Sequence, residues 1–173
     1  MRKLHIGGTV KAPGWEVINV MPGPYVDHVG DAVDLSRFED RTFGEVYASH
    51  VLEHFDYAGG VQAALREWCR VLEAGGILYV SVPDLETLAE LFLRKNDLNL
   101  EERFNVMRLI FGGHIDQYDH HGVGFNQELL AGFLDGAGFR SMQRVDNFGL
   151  FEDSSSLYFK GVPISLNMRA EKP

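Results

Sequence analysis

Apolar and polar positions alternate along this chain in two rhythms. Short apolar or period-two runs mark strands at Leu4–Gly7, Glu16–Val20, Tyr25–Val29, Gly44–Ser49 and Gly76–Val82. The last, Gly-Ile-Leu-Tyr-Val-Ser-Val, is a continuous apolar run between Gly75 and Pro83, as expected of a strand buried on both faces. A helical rhythm precedes it: Val61, Ala64, Leu65, Trp68 and Leu72 share one face of a helix running from about Gly60 to Glu73. Asp84 is placed to cap a second helix, striped by Leu85, Leu88, Ala89 and Phe92. Leu100, Phe104, Met107 and Phe111 predict a third. Asn126 caps a fourth, with Leu129, Leu130, Phe133, Leu134 and Ala137 inward and Gly138 as its stop. Two further strands, Arg140–Asn147 and Pro163–Ala170, flank a polar loop at Glu152–Ser156.

Strands alternating with helices predict an α/β fold with a largely parallel sheet. The early connections are too short for this to be conventional. About eight residues separate the first two strands and about five the next two, where a parallel crossover usually takes a dozen or more. The expectation is therefore a single domain over 1–173 with early crossover helices missing. A sheet lacking those helices needs other cover. Either the 94–125 segment folds back over it through Phe104, Met107 and Phe111, or a second copy covers it. A homodimer is the expected solution, because 94–125 is also wanted as an insertion roofing the substrate site.

Composition narrows the setting. No run approaches the ~20 apolar residues of a membrane-spanning helix, and the basic start Met1–Ile6 lacks the apolar core of a signal peptide. Cys69 is the only cysteine, which excludes an intrachain disulfide and a thiolate zinc site. A cytoplasmic location is expected. The net charge of −9, with no basic run, disfavours nucleic acid as a partner.

Ligands of open α/β sheets bind at the carboxyl ends of the strands. The residues there are Gly7-Gly8-Thr9, Met21, Asp31, His50 to His54 and Pro83-Asp84. Gly7-Gly8 could bring backbone N–H groups to a ligand or be an ordinary tight turn. The absence of Gly-x-Gly-x-x-Gly argues against a nicotinamide or flavin dinucleotide. Asp31 could accept hydrogen bonds from an adenine or a ribose, or simply form a turn. His50, Glu53 and His54 are placed for proton transfer, or one of the histidines serves structurally through a hydrogen bond to backbone. The i, i+4 pair His50 and His54 could share an ion, but no third ligand is evident and no metal is expected. The run from His114 to His121 reads as a substrate wall, a metal site or a solvated surface.

In this order and spacing the segments resemble the class I S-adenosylmethionine (SAM)-dependent methyltransferases, in particular small bacterial proteins of the methyltransferase type 11 group. The resemblance rests on Val26–Asp31 followed by Asp34-Leu35, on Val46–His54, on Arg70–Leu78, on Val82–Asp84, and on Gly112–His114 with His121–Phe125. It implies a reduced Rossmann-like sheet with an antiparallel C-terminal strand, and SAM as cofactor. It further implies that Gly7 and Gly8 wrap the amino-acid part of SAM, that Asp31 and Ala32 contact adenine, and that His50, Val51 and Leu52 line the methionine side. The family's ribose-binding acidic residue at the end of the second strand corresponds to Met21, with Asn19 or Glu16 as a substitute. Methyl transfer to a small-molecule or glycan-like acceptor follows, with His54 or His120 as the base. The alternative is an inactive methyltransferase-like protein that binds a ligand or partner, because a methionine cannot accept ribose hydrogen bonds.

Overall fold

The computed structural model describes residues 1–173. The chain runs β1 (Arg2–Ile6), β2 (Trp15–Asn19), β3 (His28–Val29), β4 (Phe43–Ser49), α1 (Gly60–Val71), β5 (Leu72–Pro83), α2 (Leu85–Leu93), α3 (Leu100–Phe111), α4 (Gln127–Gly136), β6 (Arg140–Val145), β7 (Tyr158–Phe159), β8 (Val162–Pro163) and β9 (Ser165–Glu171). Seven strands form one sheet in the order β3-β2-β1-β4-β5-β9-β6. Its first four neighbouring pairs are parallel, and β9 runs antiparallel to both β5 and β6. This is the mostly parallel, Rossmann-like arrangement with one reversed C-terminal strand.

The early crossovers carry no α-helix: residues 7–14, 20–27 and 30–42 are turns and irregular loops. Two other devices cover the sheet. On the face holding Leu4, Ile6, Val46, Ala48, Leu78 and Val80, helices α1 and α4 supply most of the core, and the 30–42 loop adds Leu35 and Phe38. That loop is anchored to α1 at several points. Trp68 Nε1 donates to Ala32 O at 2.8 Å, the Glu67 carboxylate accepts from Leu35 N, and Arg70 donates to the carbonyls of Leu35 and Phe38.

On the opposite face the cover is the 146–157 connection. Phe151 packs on His5, Trp15 and Tyr47, and Phe148 on Tyr47 and Tyr79. Asp153 accepts from the Tyr47 hydroxyl at 2.8 Å, and Asn167 Nδ2 donates to Ser155 O. The expectation that 94–125 or a second copy must cover a bare face loses its premise here, because the chain supplies an aromatic lid from residues 148–151, between the predicted strand Arg140–Asn147 and the polar loop Glu152–Ser156. The apolar residues Phe148, Leu150 and Phe151 form a run too short to carry a strand or helix period.

Other expectations need correction. The third strand shrinks to His28–Val29, because the Asp27 carboxylate accepts from Val17 N at 2.9 Å in place of a longer ladder. In α3 the predicted stripe faces out: Leu100 is 82% exposed and Phe104 and Phe111 are over half exposed, while Val106 is buried. Arg103 sets this rotation, donating to Phe92 O at 2.8 Å with its guanidinium 4.6 Å from the Phe92 ring centroid. Val106 and Ile110 then join a small second core with Leu88, Leu91, Ile164 and Phe159. Leu129 is also exposed, one helical step off the buried face of Leu130 and Leu134.

His5 yields a pH prediction. Its ring lies buried between Tyr47 and Phe151, and Nδ1 has no hydrogen-bond partner. Burial lowers its pKa to about 4, against a weak upward pull from Asp153. In the unfolded chain the side chain titrates near 6.5. The stability it contributes is therefore fully present above pH 6.5 and is lost as pH falls toward 4. Urea unfolding at pH 7 and at pH 4 should show His5→Phe losing less stability than the native chain, by up to about 3 kcal/mol. Equal losses in the two proteins would remove His5 from the acid response.

Candidate active site

A cavity of about 280 Å3 opens at the carboxyl ends of the parallel strands, near the low end of small-molecule pockets. It sits where the order reverses between β1 and β4, the usual ligand position of such sheets. Gly7, Ile18, Asn19 and Val20 form one wall, from the ends of β1 and β2. Gly30, Asp31 and Ala32 form a second, from the loop after β3. His50, Val51, His54 and Phe55 form the floor after β4, and Gln117, Tyr118 and His120 reach over from the segment after α3.

Each wall is locally determined. Gly7 has φ +72°, and a Cβ there would stand 2.4 Å from Val51 Cγ2. Only a glycine gives both this turn and this approach. Gly8 faces the other way, against the His5 ring, and does not line the cavity. The turn after β3 is closed by Asp31, whose Oδ1 accepts from Val33 N at 3.0 Å, leaving the exposed carboxylate with capacity to spare. His50 is held at φ +53°, an uncommon conformation for a non-glycine residue. Its Nε2–H donates to Ser165 Oγ at 2.9 Å, since that hydroxyl itself donates to Ser154 O. Burial lowers the His50 pKa to about 4.

The sequence-derived candidates divide. Gly7, Asn19, Asp31, Ala32, His50, Val51, His54 and His120 line the cavity together. Gly8, Met21 and Leu52 do not. Leu52 is fully buried in the main core. β2 ends at Asn19, one residue earlier than the predicted end at Val20, so Met21 lies beyond the strand end and is 56% exposed. The Asn19 amide is engaged on both sides, donating to Gly8 O at 3.0 Å and accepting from Met21 N at 2.9 Å. Asp31 is the one carboxylate on the cavity wall.

Sequence reasoning missed Ile18, Val20 and Phe55 as lining residues, while Gln117 and Tyr118 lie in the His114 to His121 run read as one possible substrate wall. Gly122 marks how that run is brought to the strand ends. Its N–H donates to Glu53 O at 2.8 Å, and its Cα packs so close to Phe55 O that a Cβ would stand 2.6 Å away. A glycine directly after a histidine pair thus marks where the 112–122 segment presses on the strand ends. His54 is tied to the same segment, its Nδ1–H donating to His120 O at 3.1 Å.

Residues 17–80, from β2 into β5, match the family described as a methyltransferase domain. No curated protein matches the chain. Among solved structures, it is similar to a SAM-dependent methyltransferase from Archaeoglobus fulgidus, at TM-score 0.63 and 16% identity over 99% of this chain and 86% of that one. The 1,6-didemethyltoxoflavin-N1-methyltransferase of Burkholderia thailandensis, solved with 1,6-didemethyltoxoflavin and S-adenosylhomocysteine, aligns at TM-score 0.58 and 14% identity over 98% of this chain and 70% of that one. A possible exported protein from Bordetella parapertussis aligns at TM-score 0.59 and 12% identity over 99% of this chain, which spans 62% of that protein's length. The chain therefore has the fold of the SAM-dependent methyltransferases it is similar to, and its residues 17–80 match the methyltransferase-domain family.

Proposed function

We propose that the chain binds SAM in the strand-end cavity and transfers its methyl group to a small, glycan-like or similarly polar acceptor. The observation that supports this best is the convergence of Gly7, Asp31 and His50 on one cavity from three different strand ends. The fit of the cofactor is good at two of its parts. Ile18, Ala32 and Val51 give apolar walls for a purine beside the Asp31 carboxylate, and the Gly7 backbone leaves room for an amino-acid chain. The cofactor supplies an electrophilic methyl on a sulfonium. The chain's part is to hold the acceptor in line and exclude water. His54 or His120, both on the cavity wall, takes the acceptor proton.

A second reading, ligand binding without transfer, is favoured by one observation. The end of β2 offers the ribose only Asn19, whose amide is already committed to Gly8 and Met21. Calorimetric titration with S-adenosylhomocysteine separates the outcomes. Micromolar binding is expected, weakened about tenfold in Asp31→Ala by loss of charge-assisted hydrogen bonds. No binding at millimolar concentration would end the proposal. Tight binding with no methyl turnover on any of a panel of hydroxyl and amine acceptors would favour the second reading.

A further inference from the structure

Glu53 is the most anomalous polar residue in the molecule. It is 1% exposed, and neither carboxylate oxygen has a hydrogen-bond partner. A buried carboxylate left without partners is costly and requires either a proton or a cation. The nearest ring nitrogen on one side, His50 Nδ1, stands 3.5 Å from Oε1, beyond good hydrogen-bond distance. On the other side lie His54 and His121, and one donor atom from each of the three residues falls within 4.8 Å of the others.

The two imidazoles are prepared in the same way. His54 Nδ1 lies 3.1 Å from His120 O, and His121 Nδ1 lies 3.1 Å from Ile110 O. A carbonyl only accepts, so in each ring Nδ1 carries the hydrogen and Nε2 carries the lone pair. A backbone carbonyl fixing the tautomer from behind is the usual outer support of a metal-bound histidine. The rings stand edge to face, with centroids 5.0 Å apart.

We propose that Glu53, His54 and His121 form a binding site for a divalent transition-metal ion, zinc foremost. Two imidazoles and a carboxylate suit zinc and its neighbours rather than calcium or magnesium. Three protein ligands leave a fourth position open, the pattern of a reactive rather than a purely structural centre. His54 also lines the cavity, so the cluster adjoins the space where a water or an acceptor oxygen would enter. The ion would neutralise Glu53 and clamp the 112–122 segment onto the strand ends, reinforcing the Gly122 to Glu53 backbone bond. Donor atoms in a tetrahedral site with bonds of ~2.1 Å lie ~3.4 Å apart, so binding draws the His121 segment inward. With His54 committed to the ion, His120 is left as the proton acceptor. The site binds its ion whether or not the cavity transfers methyl groups.

Chain stripped with a chelator and titrated with Co2+ tests this directly. The expected result is one equivalent bound with micromolar or tighter Kd, giving visible d–d absorption of a four- or five-coordinate ion. Zn2+ should displace it and raise the Tm. His121→Ala and Glu53→Gln should each weaken binding at least tenfold and abolish the Zn2+-induced rise in Tm. Glu53→Gln keeps the buried shape, so the reading survives if a smaller side chain there prevents folding. His114→Ala, an exposed histidine outside the cluster, should bind as the native chain does. No stoichiometric binding by the native chain, or binding undiminished in both cluster variants, would overturn the proposal.

Discussion

Trp68→Ala is expected to lower the unfolding free energy by about 4 kcal/mol, the cost of truncating a fully buried aromatic. Trp68 is among the largest fully buried side chains of the main core. It does two things at once: its ring fills the space between α1 and the sheet, and its Nε1–H holds Ala32 O at 2.8 Å. Alanine leaves a cavity and an unpaired carbonyl. For a domain of this size the Tm should fall by roughly 10 °C. The 30–42 loop has no helix of its own, so its position depends on Trp68, Glu67 and Arg70. Loosening it should also blur the Gly30–Ala32 cavity wall. Trp68→Phe keeps most of the volume and loses only the hydrogen bond, at about 1–2 kcal/mol. Urea denaturation of the three proteins checks the order. A Trp68→Ala chain within 1 kcal/mol of native stability would mean that the helix-free crossover is held by other contacts.

The parts that were legible in the sequence share one property: the signal is local. The buried run Gly76–Val82 and the stripe from Val61 to Trp68 lie in β5 and α1 as the hydrophobic rhythm predicts, although Leu72, read as the stripe's last member, already opens β5. The short spacing between early strands correctly announced the missing helices, because a parallel crossover without room for a helix has to be a loop. What failed was the identity of the replacement cover. Phe148 and Phe151 reach the sheet through tertiary contacts at large sequence separation, and no period marks them. The α3 face failed for a related reason. That helix has apolar residues on several sides, so the Arg103–Phe92 contact, not the pattern, decides which side is buried.

The site shows the same division. Residues following a strand in sequence, such as Gly7, Asp31, His50 and His54, could be placed at its carboxyl end without a structure, and all four line the cavity. Met21, read as the residue just past a strand ending at Val20, lies two residues beyond the observed end at Asn19, a one-residue shift within the ordinary uncertainty of such boundaries. His121 and Glu53 could not be paired from sequence, because 67 positions of intervening chain hide their contact.

Gly7→Ala should weaken S-adenosylhomocysteine binding by about 100-fold while leaving the chain folded. The added Cβ would stand 2.4 Å from Val51 Cγ2, closer than any non-bonded carbon pair tolerates. Val51 is β-branched and stiff at χ1, so it cannot simply swing its methyl aside. It must shift bodily, and both residues form the cavity wall. The positive φ of Gly7 adds a backbone cost of roughly 1–2 kcal/mol for alanine. That cost falls on stability, not on affinity, and thermal unfolding should show only this modest loss. The double variant Gly7→Ala with Val51→Ala separates the two effects. Removing the valine methyls relieves the clash, so the double variant should recover most of the lost affinity while keeping the lower Tm. Calorimetry on the native chain, the single variant and the double variant reads both quantities. Native affinity in Gly7→Ala would show that the ligand does not lie against the β1 turn, and the assignment of Gly7 to the cofactor would then fail, whatever else the cavity binds.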